Sequence, residues 1–313
     1  MKQKSRNRLL AILAFTAISS FSIAQTVSSM AKKPTAVLRE GFLYSRASFP
    51  GHPLNDSLKN IDYEKGDYLE QDQIIQALKK YQRSIKGEKE QDIKDAFFIS
   101  GIMVLPAYSK MYFTPSKTLI KTDALGYHQE LLINHAMDSA ILVVSDRDKA
   151  NQGAVSFRPK EMSEVWQKYR VDSAQYRSEK TTEIVVIAGY RCRKIIYTFD
   201  GTSRGTGVSN YIINLQPQRV TAWYSDELPA IINRIHPLDF ELDKAILKFE
   251  VEYDKSKKNK MLVEVIKIDP QKIDEKEFDL PQKAPIVQHT KNGYESNMVI
   301  MPVMMYAISL LTK

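Results

Sequence analysis

The C-terminal half of the chain is built from short runs in which apolar and polar residues alternate. Within 245–253, Leu247, Phe249 and Val251 alternate with Lys248 and Glu250, which is the pattern of a strand with one buried and one solvated face. Similar runs, rich in Val, Ile, Tyr and Phe, cover 183–187, 191–199, 209–215, 219–224 and 261–268. The gaps between them are short and carry turn residues, so the pattern predicts an antiparallel meander.

In the N-terminal half, apolar residues recur at strand spacing in some segments and at helix spacing in others. Residues 37–49 have strand composition and end at a Pro-Gly-His-Pro cluster, whereas Ile74, Ile75 and Leu78 recur at helical spacing within 68–85. A second helical pattern over 90–103 completes a helical insertion at about 68–103. Further predicted elements are strands at 110–121, 129–134 and 139–145 and a surface helix at 159–176 that begins at Pro159. We therefore expect an α+β fold, with helices packed against an antiparallel sheet, in one domain over 25–297.

The N-terminus predicts export. Residues 1–8 hold four basic residues and no acid, an apolar run covers 9–18, and small residues precede Gln25. These features are typical of a secretory signal peptide, predicted here as residues 1–24. No cysteine follows the apolar run, so attachment of a lipid at that point is excluded. We expect a periplasmic or secreted protein without a transmembrane span.

The tail over 298–313 is almost wholly apolar and rich in methionine, but it is too short to span a bilayer and contains Pro302. Methionine suits an irregular, adaptable contact. The tail therefore either folds back over apolar surface of the sheet or docks onto a partner or membrane face.

The charge and cysteine content of the chain limit the kinds of partner and cross-link it can have. The formal net charge of +8 falls to about +4 once the signal peptide is removed, which makes nucleic acid an unsuitable partner for an exported protein. Cys192 is the single cysteine, so no intramolecular disulfide forms. Its neighbours Arg191 and Arg193 favour a reactive thiolate, whereas its place in the middle of a strand favours a small buried side chain.

Three stretches of the C-terminal half resemble an uncharacterised family of exported bacterial proteins related in fold to the outer-membrane lipoprotein carriers (LolA-like). They are 187–194 (IAGYRCRK), 220–229 (VTAWYSDELP) and 272–281, which ends Phe-Asp-Leu-Pro. The GLPGLI family is similar in the first two stretches, but its namesake motif is missing because 234–240 reads RIHPLDF. The resemblance covers roughly residues 180–281.

This resemblance implies a curved, half-barrel antiparallel sheet with helices packed on its concave face. In characterised relatives of that fold, the concave face holds acyl chains. Several large or apolar side chains on neighbouring strands could line such a groove, although ordinary cross-strand core packing is the more common role of such side chains: Tyr190, Cys192, Tyr197, Tyr211, Trp223 and Phe249.

Motifs for catalysis and metal binding are weak. Residues 201–205 (GTSRG) match the G-x-S-x-G nucleophile elbow, but a second predicted strand follows them where a helix is required. The five histidines show no metal-ligand spacing. The four lysines within 255–260 form a basic hairpin tip that is either a solvated turn or a contact for anionic lipid or glycan. We expect no catalytic residues, no metal and no cofactor.

The sequence therefore favours a non-enzymatic cell-envelope protein that holds a lipid or other hydrophobic ligand on a concave sheet. An envelope scaffold or protein-interaction module without a ligand is the alternative. A hydrolase that uses Ser203 is the third hypothesis.

Overall fold

The computed structural model describes residues 38–62, 68–85, 95, 98–99, 101–103, 105, 107–161, 169–171, 173–200, 217–236, 238–253, 259–280, 284–290 and 294–311. The predicted signal peptide, the basic hairpin tip at 254–258 and the predicted strand at 209–215 lie outside these residues.

Strands dominate the described part of the chain. In chain order they are β1 (Gly41–Ser48), β2 (Tyr108–Phe113), β3 (Lys117–Asp123), β4 (Tyr127–Asn134), β5 (Ser139–Asp146), β6 (Gln152–Phe157), β7 (Tyr169–Val171), β8 (Tyr176–Ile187), β9 (Tyr190–Phe199), β10 (Arg219–Ser225), β11 (Leu238–Phe240), β12 (Ala245–Glu252), β13 (Lys260–Asp269) and β14 (Ile286–Gln288). Alternating burial, as in β4 and β12, confirms the one-sided pattern of the sequence.

Twelve of these strands form one open sheet, in the order β14-β6-β5-β4-β3-β2-β1-β13-β12-β10-β9-β8. Two meanders join where β1 pairs with β13: one runs from β1 to β6, and the other contains β8, β9, β10, β12 and β13. The prediction of a purely antiparallel sheet is wrong, because β14 runs parallel to β6, and β7 and β11 form a separate parallel pair. The half-barrel shape and the helices on a concave face stay predictions.

The helices are α1 (Asn55–Asn60), α2 (Tyr68–Ser84) and α3 (Tyr294–Ser309), with single 3-10 turns at Pro159–Glu161, Ala230–Ile235 and Glu275–Phe278. Within the predicted helical insertion at about 68–103, α2 and residues 98–99 and 101–103 are helical, whereas α1 precedes it in the chain. The insertion as a whole stays a prediction. None of the described helices has the length and hydrophobicity that crossing a membrane requires.

One face of the sheet, called the inner face here, carries the main apolar core. This core joins side chains from both meanders, such as Leu142 and Phe249, to Leu78 of α2 and Val303 of α3. Burying this continuous apolar surface is the main stabilising contribution to the fold.

The opposite face, called the outer face, has a smaller core. Phe42, Tyr112 and Leu119 pack there against Ile273 and Phe278, which belong to the segment that follows β13. That segment crosses the outer face, continues into β14 beside β6, and then forms α3 on the inner face. The C-terminal 40 or so residues therefore wrap the β1 to β6 meander on both faces and along one edge.

Two sequence predictions of secondary structure were wrong. The predicted strand 110–121 is two strands, because Thr114 and Lys117 exchange backbone and side-chain hydrogen bonds in a tight turn. The predicted helix 159–176 is a 3-10 turn at its start, and its residues Tyr169–Val171 form β7. Pairing of β7 with the distant β11 overrides the local helical pattern there.

Candidate functional site

Trp223 lies on the outer face, away from the other groove candidates. Its cross-strand neighbours are Lys194 and Lys248, whose ammonium groups lie 5.7 Å and 5.4 Å from the centre of its ring system. Its indole Nε1 donates to Glu183 Oε1 at 3.5 Å, and the other oxygen of Glu183 accepts from Lys194 Nζ at 2.7 Å. This half-buried cation–π cluster on the outer face cannot line an inner groove.

Four of the other candidates meet in the inner core. Cys192 and Phe249 have no exposed surface, and Tyr190 and Tyr197 are only 4% and 5% exposed. Within the described part of the chain, Cys192 and Phe249 therefore border no cavity large enough to hold a water molecule. Tyr211 lies outside the described residues. The groove itself stays a prediction.

His236 and Phe240 pack beside these residues. Phe240 of β11 lies between Tyr197 and Phe249, with ring centroids 6.1 Å and 5.4 Å away. His236 stacks edge-on against Phe249 at 5.2 Å, and its Nε2 lies 2.7 Å from the carbonyl oxygen of Ile246. Two rings from the 234–240 segment therefore occupy the interior next to the predicted groove.

The surroundings of Cys192 decide between its two interpretations. Burial, together with the nearby carboxylate of Glu227, raises the pKa of its thiol to about 12. Arg193 instead faces Asp226 at 3.6 Å. The thiol is therefore protonated at neutral pH, which favours the small buried side chain over a reactive thiolate.

A small polar pocket lies on the outer face, and the sequence reasoning missed it. It encloses about 120 Å³ and is lined by His128, Gln129, Glu130, Val143, Ser145, Lys149 and Gln152. By volume this is room for about four water molecules. The pairing of Asp123 with His128 across the β3–β4 hairpin could have indicated that polar side chains cluster here.

The histidine of this pocket already contacts other groups of the protein. His128 Nδ1 contacts a carboxylate oxygen of Asp123, and its Nε2 lies 3.1 Å from the carbonyl oxygen of Arg147. Both ring nitrogens therefore face acceptors, which leaves neither for a substrate proton. Glu130 differs: its Oε2 is buried with no hydrogen-bond partner among the described residues, and burial raises its pKa. The described residues contain no group of three metal-ligating side chains.

Within the described residues, the apolar tail folds back over the sheet as α3, as the first of its two interpretations predicted. Docking of the tail onto a partner or membrane face stays a prediction. It packs on the inner face of β4, β5 and β6 and contributes Ile300, Val303, Ala307, Ile308 and Leu311 to the core. Near its start, Ser296 Oγ lies 2.7 Å from His289 Nδ1. Pro302 within the helix is exposed.

Two glycines on the sheet side make this close approach possible. A Cβ added to Gly153 would lie 2.4 Å from Val299 Cγ1, and one added to Gly126 would lie 2.4 Å from Ala307 Cβ. Both distances are far below van der Waals contact, so any larger residue would push α3 away from the sheet. Met298 on the same helix is 60% exposed.

Lys260, at the described end of the basic hairpin tip, is bound within its own sheet. Its Nζ lies 2.8 Å from Glu250 and 3.3 Å from Glu252, and these contacts raise its pKa. This lysine therefore belongs to a cross-strand charge cluster on β12 and β13.

The chain is weakly similar to two solved structures. No protein-family model matches the chain, and no curated protein matches it. Among solved structures, the chain is similar to PNGF-II at 13% identity and a TM-score of 0.33, over 64% of this chain and 30% of that one. It is also similar, at 10% identity and a TM-score of 0.15, to a Vibrio parahaemolyticus domain described as an outer membrane lipoprotein-sorting protein, over 55% of this chain and 83% of that one. At these TM-scores neither likeness carries an argument about fold or function.

Proposed function

We propose that this protein is an exported, non-enzymatic cell-envelope protein that holds a lipid or other hydrophobic ligand on the inner face of its sheet, in the manner of a LolA-like carrier. The ligand lies where α3 now packs, beside β4, β5 and β6. The observation that carries the proposal is the nature of this contact: an apolar, methionine-containing helix covers an apolar sheet face.

Such a contact suits exchange for an acyl chain. Val299, Val303 and Ala307 meet the sheet through non-directional apolar packing, and an alkyl chain in the same place would bury comparable surface. The polar contacts between α3 and the rest of the chain include the Ser296–His289 contact and a hydrogen bond between Tyr306 and Asp148. A net stabilisation of about 1 kcal/mol from each hydrogen bond is small enough for a ligand to offset.

The experiment measures binding of a fluorescent fatty acid, dansyl-undecanoic acid, to the mature protein. We expect saturable binding, and tighter binding to Gly153→Ala, because the added methyl group displaces Val299 and makes α3 easier to move. Gly101→Ala is the matched control, since its Cβ would meet only Leu105 Cδ1 at 3.7 Å, and it should bind like the wild type.

Two results would overturn the proposal. One is the absence of saturable binding in both wild type and Gly153→Ala. The other is binding that Gly153→Ala and Gly101→Ala alter equally, which would place the probe away from α3. Thermal unfolding of each variant shows whether it is folded.

A scaffold without a ligand is the second candidate, and the filled interior around Phe249 favours it. Phe240 and His236 pack against Phe249 in the interior, beside the groove candidates. If no amphiphile co-purifies with the protein in native mass spectrometry and the fluorescent probe does not bind, this candidate replaces the first.

The proposal includes the absence of an enzymatic activity. The G-x-S-x-G sequence at 201–205 lies outside the described residues. A general screen of ester substrates tests the point: hydrolysis that is lost in Ser203→Ala would replace the binding proposal with the hydrolase.

A further inference from the structure

The two edges of the large sheet are treated differently by the chain. The β6 edge is covered by β14. At the other end, β8 is the last strand, and among the described residues only β9 pairs with it. β8 is 12 residues long and mostly exposed, about twice the length of an average strand. A long open edge is a template for the addition of another strand.

The two halves of β8 differ in composition. Its first half carries Arg177, Glu179 and Lys180, charges of the kind that keep an edge from pairing. A register irregularity between Lys180 and Ile184 separates this half from Glu183–Ile187, which holds four successive β-branched apolar residues. The edge is therefore protected by charge along its first half, and no described strand pairs with its second half. The second half is called the open half.

The open half combines apolar and basic surface. On the outer face, Ile184 and Val186 are 51% and 68% exposed. Their cross-strand neighbours on β9 are Arg193 and Arg191, respectively. Both arginines are exposed, although Arg193 also lies 3.6 Å from Asp226. The backbone of a strand added beside β8 would lie about 10 Å from the backbone of β9, which is two strand spacings. An arginine side chain and a glutamate side chain together can span this distance.

We propose that Glu183–Ile187 is a strand-addition site for an extended segment of a partner protein in which acidic and apolar residues alternate. The acidic side chains reach over Ile184 and Val186 to Arg191 and Arg193, and the apolar ones extend the inner face beside Val185. The main chain of the partner pairs with the open edge of β8, as in other complexes formed by β-augmentation. This site is independent of any ligand under α3.

The test uses a fluorescein-labelled peptide, Thr-Glu-Val-Glu-Val-Glu-Thr, and fluorescence polarisation with the mature protein. We expect saturable binding that Arg191→Glu weakens by about tenfold and the double variant Arg191→Glu/Arg193→Glu weakens further. The double variant should instead prefer the matching peptide with lysine in place of glutamate. Ile286→Lys, at an exposed apolar position of β14 on the opposite edge, is the matched control and should bind normally.

A peptide methylated at its backbone nitrogens separates strand addition from simple charge attraction, since it keeps the charges but cannot donate to the edge. We expect it not to bind. Binding of the methylated peptide, or no binding of the unmodified one, would overturn the proposal. A third result would also overturn it. If the peptide does not bind, and the wild type but not the double variant sediments with phosphatidylglycerol vesicles, this surface binds an anionic membrane instead.

Discussion

His52 offers a direct test of how burial controls the stability of this protein. It lies between β1 and α1, is 9% exposed, and packs against Tyr81 of α2 at 5.3 Å and Phe98 at 6.3 Å. Its Nδ1 accepts a hydrogen bond from the backbone N–H of Leu54 at 3.2 Å. Burial lowers its pKa from 6.5 to about 4, although the carboxylate of Asp95 opposes the change.

This change sets the sign and size of the effect. The unfolded chain binds a proton at position 52 below pH 6.5, but the folded protein binds it only near pH 4. The stability that neutral His52 contributes is therefore fully present above pH 6.5 and is lost as the pH falls towards 4. The full loss is about 3 kcal/mol, and about 2 kcal/mol of it occurs between about pH 7.5 and about pH 5.

The variant His52→Asn isolates this contribution. The Asn side-chain oxygen can accept the same hydrogen bond from Leu54, two residues on, but it does not titrate. The free energy of unfolding is measured by urea denaturation at both pH values. We expect the wild type to lose about 2 kcal/mol more than the variant between them. In His135→Asn the difference should be smaller, because His135 is half-buried at a turn and burial lowers its pKa less.

The difference between wild type and variant is the quantity that counts, because other groups titrate over the same range. Glu130, whose pKa is raised, contributes in the opposite direction, but it is present in both proteins and cancels. Equal losses of stability in wild type and His52→Asn would show that position 52 is not buried as a neutral imidazole, and would refute the reasoning.

Three further predictions concern the interior and the polar pocket. Cys192 should react with a thiol reagent at least about 100-fold more slowly in the native protein than in urea, and fast native labelling would contradict its raised pKa. Phe240→Ala should lower the free energy of unfolding, measured by urea denaturation, by about 3–5 kcal/mol. The control Met137→Ala, at an exposed position, should lower it by less than about 0.5 kcal/mol. Glu130→Gln should stabilise the protein at about pH 8 but not at about pH 4. The raised pKa of Glu130 means that its buried carboxylate destabilises the fold at pH values above that pKa, whereas the protonated acid does not. An equal effect at both pH values would contradict this.

The strands with strong alternation were predictable from sequence because local composition and tertiary environment agree there. The predicted strands at 219–224 and 245–253 match β10 and β12 closely. Elsewhere a distant partner decides. β7 forms only because β11, about 70 residues later, pairs with it in parallel, and no local pattern carries that information.

The candidate site shows the same division. Alternation along β10 places Ala222 and Trp223 on opposite faces, so the sequence alone could have separated Trp223 from Tyr197 and Phe249. The role of Phe240 could not be read in this way, because β11 is three residues long and its ring reaches the core only through the path of the chain around it. Charge next to Cys192 in sequence was also misleading, since Arg191 and Arg193 project to the opposite face of β9.

The two proposed sites lie at opposite ends of one sheet, and this separation makes them independent. From β6 to β8 there are ten strand-to-strand steps, or about 50 Å along the sheet at about 4.8 Å per step. The segment that follows β13 covers only the first end: Phe278 packs on the outer face, β14 pairs along the edge of β6, and α3 covers the inner face. A ligand that moves α3 therefore acts on an end that the chain has wrapped, whereas a partner strand adds to an end where the described chain leaves Ile184 and Val186 in solvent. Because few shared contacts connect sites this far apart, loss of one function should leave the other intact.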